Sequence, residues 1–186
     1  GLYRYNGTKF QWINEYESIK TVNCLYTDEE GRLWVGTNDS GLSIFINDTV
    51  ANVITEKQGL ASDSVRCITQ CADGNYYVGT AGELSIVTLA GGLNVKKTME
   101  DIVYVKSMDA DAAVTDDGKL YFIRQGKIMD IVEPSEGADF SCCKFDENGL
   151  LYAGTSQNEI LCYGCDTGEW KYRETKGCEE LSNIKS

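Results

Sequence analysis

No histidine occurs anywhere in the 186 residues. That absence excludes Ser-His-Asp and Cys-His nucleophilic catalysis, histidine-ligated metals and the commonest general acid–base group. Positive charge is also scarce: 17 Lys and Arg stand against 29 Asp and Glu, for a net charge of −12. Nucleic-acid affinity rests largely on phosphate neutralisation, so DNA and RNA are poor partners. No basic stripe with interleaved aromatics offsets this. Long apolar runs are missing too; nothing approaches the roughly 18 residues that a membrane-spanning helix needs. No leader segment is visible, and the chain opens on Gly1 rather than Met, which reads as a piece excised from a longer protein. Carboxylate-only chemistry survives these exclusions, but so many acidic residues single out no pair.

What is present is ordinary for a folded soluble domain: 42% hydrophobic and 25% charged residues, over a length that supports one core. One proline and 19 glycines indicate many tight turns rather than disorder. The productive feature is self-similarity. Gly31-Arg32-Leu33-Trp34-Val35-Gly36-Thr37 returns as Gly74-Asn75-Tyr76-Tyr77-Val78-Gly79-Thr80 and as Gly149-Leu150-Leu151-Tyr152-Ala153-Gly154-Thr155. A fourth copy aligns as Gly118-Lys119-Leu120-Tyr121-Phe122-Ile123-Arg124, and the four glycines are spaced 43, 44 and 31 residues apart. Each copy reads as antiparallel strands joined by tight turns, with one aromatic at a fixed place: Trp34, Tyr77, Tyr121 and Tyr152. Asn6-Gly7 is a strong hairpin signal. About forty residues and four strands per copy suit a propeller blade. A single blade cannot bury both faces, so the fixed aromatic must pack on the next blade. Gly-Thr after that strand is expected to give a bend where no side chain fits, and a hydroxyl that can bond locally.

Two stretches carry a family likeness. Residues 59–68, from Gly59-Leu60-Ala61-Ser62, lead to Asp73-Gly74 and Tyr77-Val78-Gly79-Thr80; Val22-Asn23-Cys24-Leu25 leads to residues 31–37 and Gly41-Leu42. Both resemble the two-component-regulator propeller repeat. The resemblance implies an all-β fold, a β-propeller segment of about four full blades with partial blades at both ends, cut from a larger propeller. The repeats run over residues 1–17 (partial), 18–60, 61–101, 102–137 (degenerate), 138–180 and 181–186 (partial). Gly1 to Tyr5 aligns with Gly41 to Phe45 as a third strand. The copy at Gly118 departs, with Ile123-Arg124 in place of Gly-Thr and a spacing that suggests a missing outer strand.

Eight cysteines suggest a disulfide framework until the repeat is laid over them. Cys24, Cys67 and Cys142 each lie seven residues before a blade glycine, so they read as small, buried, unoxidised packing residues. Cys162-Tyr163-Gly164-Cys165 has a metal-knuckle spacing, but a zinc site wants a second pair or histidines. A local disulfide among Cys162, Cys165 and Cys178 suits an extracellular location better. The acidic stretches 28–31, 116–118 and 146–149 lack the length of calcium loops and read as solvated type I turns. No metal or cofactor is therefore expected. Ligand contacts are expected from loops at one face, at Asn38, Asp39, Gln157 and Asn158, with Arg66 and Arg124 as anchors. Trp34, Tyr77, Tyr121, Tyr152, Gly36, Gly79 and Gly154 are read as structural.

By analogy with the family, the chain is a non-catalytic extracytoplasmic sensor region of a bacterial membrane signalling protein. The resemblance implies a small ligand such as a carbohydrate, signalling domains in the parent protein, and paired subunits whose arrangement the ligand shifts. This segment itself is expected to touch no membrane. The alternatives are a protein–protein interaction scaffold and a propeller enzyme acting on polysaccharide.

Overall fold

The computed structural model describes residues 1–13, 19, 21–164 and 168–172. Strands β1 (Leu2–Tyr5) and β2 (Phe10–Ile13) form the hairpin expected at Asn6-Gly7. The Asn6 side-chain oxygen accepts from the N–H groups of Thr8 and Lys9, fixing the turn. Four four-stranded antiparallel sheets follow among the described residues. Blade I comprises β3 (Val22–Thr27), β4 (Leu33–Thr37), β5 (Leu42–Ile46) and β6 (Thr49–Ile54). Blade II comprises β7 (Val65–Gln70), β8 (Tyr76–Thr80), β9 (Glu83–Thr88) and β10 (Asn94–Val103). Blade III comprises β11 (Val105–Asp109), β12 (Ala112–Thr115), β13 (Leu120–Arg124) and β14 (Lys127–Val132). Blade IV comprises β15 (Phe140–Phe145), β16 (Leu150–Thr155), β17 (Ile160–Gly164) and β18 (Glu169–Tyr172). Each sheet is a meander in chain order, and the first strand of each blade packs on the first strand of the next. This is a β-propeller.

The core lies in the seams between blades, as the one-sided repeat requires. Trp34, Leu42 and Ile44 of blade I meet Val65, Tyr76 and Val87 of blade II. Tyr77, Leu84 and Ile86 meet Val105, Met108 and Ile123 of blade III. Val114 and Leu120 meet Phe140, Leu151 and Tyr163 of blade IV. The β1–β2 hairpin covers the other face of blade I through Leu2, which packs with Val35 and Phe45.

The Gly-Thr pair differs from the expected bend. Gly36 and Gly79 sit within strands β4 and β8, paired with Cys24 and Cys67. A Cβ on Gly36 would meet the Cys24 sulfur and Val65 of blade II; on Gly79 it would meet the Cys67 sulfur and lie 2.8 Å from the Val105 Cβ. Glycine is thus selected by close approach across the seam, not by turning. The threonines behave as expected: the Thr37 hydroxyl donates to the Gly41 carbonyl at 2.9 Å, and the Thr80 hydroxyl to the Glu83 carbonyl at 2.7 Å.

Blade III corrects the repeat alignment. Gly118 lies between β12 and β13, the second and third strands, whereas Gly31, Gly74 and Gly149 lie between first and second strands. The blade has all four strands, so no outer strand is missing. Register identifies the true equivalents. Ser107 pairs with Val114 as Cys24 pairs with Gly36, and Val105 pairs with Thr115 as Val22 pairs with Thr37. A smaller residue on the first strand accompanies a larger one on the second. Asp109 pairs with Ala112 where Tyr26 pairs with Trp34, so the place of the fixed aromatic is held by Ala112, not Tyr121. Tyr121 is a third-strand residue, buried back against blade II. Trp34 and Tyr77 are fully buried; Tyr152 is half-buried, because among the described residues no sheet lies beyond blade IV to cover its face.

Candidate functional site

Antiparallel meanders sort the connections between two ends. Second-to-third turns and blade-to-blade connections lie at one end, here the loop end; first-to-second and third-to-fourth turns lie at the other, the turn end. Asn38, Asp39, Gln157, Asn158 and Arg66 all come to the loop end, but blades II and III separate the first pair from Gln157 and Asn158. These residues do not form one pocket. Arg124 closes β13 and so lies at the turn end, correcting its expected place among the loop-end anchors. Thr115, not Arg124, stands where the other blades carry threonine.

The loop end holds a feature that the sequence did not reveal. All four first strands carry a register shift at one equivalent place, after Val22, Val65, Val105 and Phe140. The extra residues are Asn23, Arg66, Lys106 and Ser141, and such bulges re-aim side chains. Asn23 donates to the Val65 carbonyl of the next blade at 3.1 Å, and the Arg66 guanidinium lies 5.3 Å from the Tyr104 ring centroid. Lys106 pairs with Asp116 at 3.4 Å. Loop-end turns are also tied to connections: Asn38 N–H donates to Thr21, and the Gln157 side chain to the Gly137 carbonyl.

At the turn end, the seam between blades I and II is closed. Trp34 stacks on Tyr76 with centroids 3.9 Å apart. Asp28, expected as part of a solvated turn, is buried beneath them and accepts from Trp34 Nε1 at 2.9 Å, the Tyr76 hydroxyl at 3.0 Å and Arg32 Nε at 2.6 Å. Burial pushes its carboxyl upward, but these donors outweigh that and hold it below the usual range. The same carboxylate, after burial, helps push Tyr76 up to about 12. Tyr77 repeats the device toward blade III: its hydroxyl donates to Asp73 and accepts from the Gly126 N–H at 2.8 Å.

The seam between blades III and IV is open. Ala112 replaces the aromatic, Leu151 stands at the register position of Tyr76, and only Ala110 and Asp111 separate β11 from β12. The shortened turn has no counterpart of the Asp28–Arg32 pair. What remains is a groove of about 430 Å³ lined by Phe122, Phe145, Tyr163, Met129, Asp111, Asp130 and Arg124, among others. Phe122 and Tyr163 lie 5.2 Å apart, tilted by 33°. Arg124 reaches Asp111 at 3.8 Å.

Four thiols among the described residues are held away from nucleophilic attack. Burial pushes the Cys24 and Cys143 thiols up to about 12 and raises Cys67 and Cys71 as well, which suppresses the reactive thiolate. Among the described residues, no three acidic or cysteine side chains gather as a metal-holding group. Cys165 and Cys178, and with them the knuckle and local-disulfide readings, lie outside the described residues, as does the partial repeat at 181–186.

Residues 17–39 match the family model described as two component regulator propeller. The chain carries a two component regulator propeller repeat. The matched stretch covers β3 and β4 of blade I, including Trp34 and the Gly36-Thr37 pair, and ends at Asp39 in the turn that follows. The propeller is similar to the extracellular domain of the hybrid two component system BT4673 from B. thetaiotaomicron, at 23% identity and TM-score 0.64 over 88% of this chain and 24% of that one. It is similar to the corresponding domain of BT3049 from the same organism, at 19% identity and TM-score 0.66 over 92% of this chain and 27% of that one. The WD40 β-propeller domain of Doa1 matches at 16% identity and TM-score 0.56, over 79% and 51% of the two chains. At these identities the likeness establishes the propeller fold. This chain spans about a quarter of the two extracellular domains. No curated protein matches it significantly.

Proposed function

We propose that this chain is a non-catalytic, ligand-recognising part of the extracytoplasmic sensor region of a bacterial membrane signalling protein, with a carbohydrate as its ligand. The observation that carries the reading is the two component regulator propeller repeat, seated in blade I of a propeller similar to extracellular domains of hybrid two component systems. The chemistry of the seams supports it. The perturbed carboxylates, phenols and thiols are bound into turns and interfaces, where they hold blades together rather than face a reacting group. A ligand bridging parts of the propeller would bias the arrangement of paired subunits in the parent protein, which is all that signalling across a membrane requires of it.

Thermal unfolding of the whole chain against a panel of sugars, followed by calorimetry, tests the reading. A ligand at about 100 times its Kd adds about 2.7 kcal/mol to stability, so a cognate sugar raises Tm by several degrees. A chain unmoved by every sugar but captured by a second protein would be a scaffold. Turnover of a glycan would make it an enzyme.

A further inference from the structure

We propose that the groove between blades III and IV binds an uncharged saccharide unit, an assignment that rests on the sensor reading and narrows it to a place and a ligand charge. The groove is a product of the sequence rather than loose packing. Two local departures from the repeat create it, alanine at the aromatic position and a first turn cut to two residues, while Leu151, like Leu33 of blade I, stands where blade II has Tyr76. The neighbouring seam that keeps the aromatic pair and the longer turn is filled by Trp34 and Tyr76. At about 430 Å³ the groove falls within the range of small-ligand sites, about 300–1,000 Å³.

Its walls and rim define the ligand. Phe122, Phe145 and Tyr163 give an aromatic wall, and Met129 stands 62% exposed among the lining residues. Such a surface wants a flat apolar face, which the C–H side of a pyranose ring supplies. The rim carries Arg124, which can only donate hydrogen bonds, and Asp111 and Asp130, which when ionised only accept. Hydroxyl groups do both, so a pair of adjacent hydroxyls satisfies the whole set. An anionic sugar would gain Arg124 but face two carboxylates on a chain of net charge −12. An amine would gain the carboxylates but face the guanidinium. Arg124 is 71% exposed, and its 3.8 Å approach to Asp111 is long for a charge-assisted hydrogen bond, so its donors remain available.

The chain supplies its own reporter. Of its three methionines, Met129 lines the groove, while Met99 and Met108 are buried in the seam between blades II and III. The whole chain, labelled with ¹³C at the methionine methyls, is titrated with glucose, galactose, xylose, cellobiose and lactose, and with glucuronate and glucosamine as charged counterparts. We expect a neutral sugar to move the Met129 signal while Met99 and Met108 stay in place. Arg124→Ala and Asp130→Asn should each weaken that response about tenfold, and Arg66→Ala at the loop end should leave it unchanged. An equal or stronger response to glucuronate or glucosamine overturns the neutral assignment. Calorimetric sugar binding without movement of Met129, abolished by Arg66→Ala, overturns the groove and leaves the sensor reading intact. No response to any sugar by either method overturns the saccharide assignment together with the reading beneath it.

Discussion

The seam between blades I and II and the seam between blades III and IV are built on one repeat, yet one is sealed and the other open. In the first, Trp34 and Tyr76 stack over a buried Asp28 that accepts from both rings and from Arg32. In the second, Ala112 and Leu151 hold the corresponding positions, the first turn is cut to Ala110 and Asp111, and Asp109 links the blades by accepting from Lys144 Nζ and the Phe145 N–H, each at 2.7 Å. Third-strand rings, Phe122 and Tyr163, partly fill the space, and a groove remains. Within one repeat pattern, a seam can thus keep a groove when it lacks the aromatic pair that fills its neighbour.

Apart from truncation of a ring, the largest effect separating the seams should come from Asp28. Asp28→Ala strands the Trp34 and Tyr76 donors and the Arg32 charge, and should cost about 3 kcal/mol in chemical denaturation. Asp111→Ala, at the partly exposed ion pair beside the groove, should stay within about 0.5 kcal/mol. Next comes the glycine of the sealed seams. Gly79→Ala forces a methyl against the Cys67 sulfur and Val105 and should cost about 1–3 kcal/mol. Adding Cys67→Ser should recover part of it, since blade III pairs Ser107 with Val114 at that place. The smallest effect is alkaline. Tyr76 is neutral in the fold up to about 12, by burial and then by Asp28, against about 10 for an unfolded phenol. Its contribution is therefore complete below about pH 10 and lost as pH rises toward 12. Tyr76→Phe should flatten the fall of the urea midpoint over that window.

Blades I, II and IV were legible in the sequence because turn glycine, aromatic and Gly-Thr recur there at fixed intervals. Blade III was misread for a physical reason. Gly118 adopts φ +76°, the same left-handed turn conformation as Gly31, Gly74 and Gly149 at +76°, +77° and +76°. A glycine announces such a turn wherever it falls, without saying which two strands it joins. The true first turn of blade III uses Ala110 at φ +44°, a residue that gives no signal. The bulges were equally silent. Val22-Asn23-Cys24, Val65-Arg66-Cys67 and Val105-Lys106-Ser107 look like ordinary alternation, and only the register shows that the middle residue is unpaired. The groove could not be read at all, since it depends on aligning Ala112 with Trp34 across a shortened turn.

The contrast between the seams is tested most directly by truncating one ring from each. Urea unfolding of Trp34→Ala and Phe122→Ala, measured side by side, separates a filled seam from an open one. Trp34 is fully buried and bonded to Asp28, so its loss should cost about 3–5 kcal/mol. Phe122 is half-buried on the wall of a groove, so its loss should cost about 1–2 kcal/mol. Equal losses, or a larger one for Phe122, would show that the seam between blades III and IV is packed like the other and that no groove has been opened there.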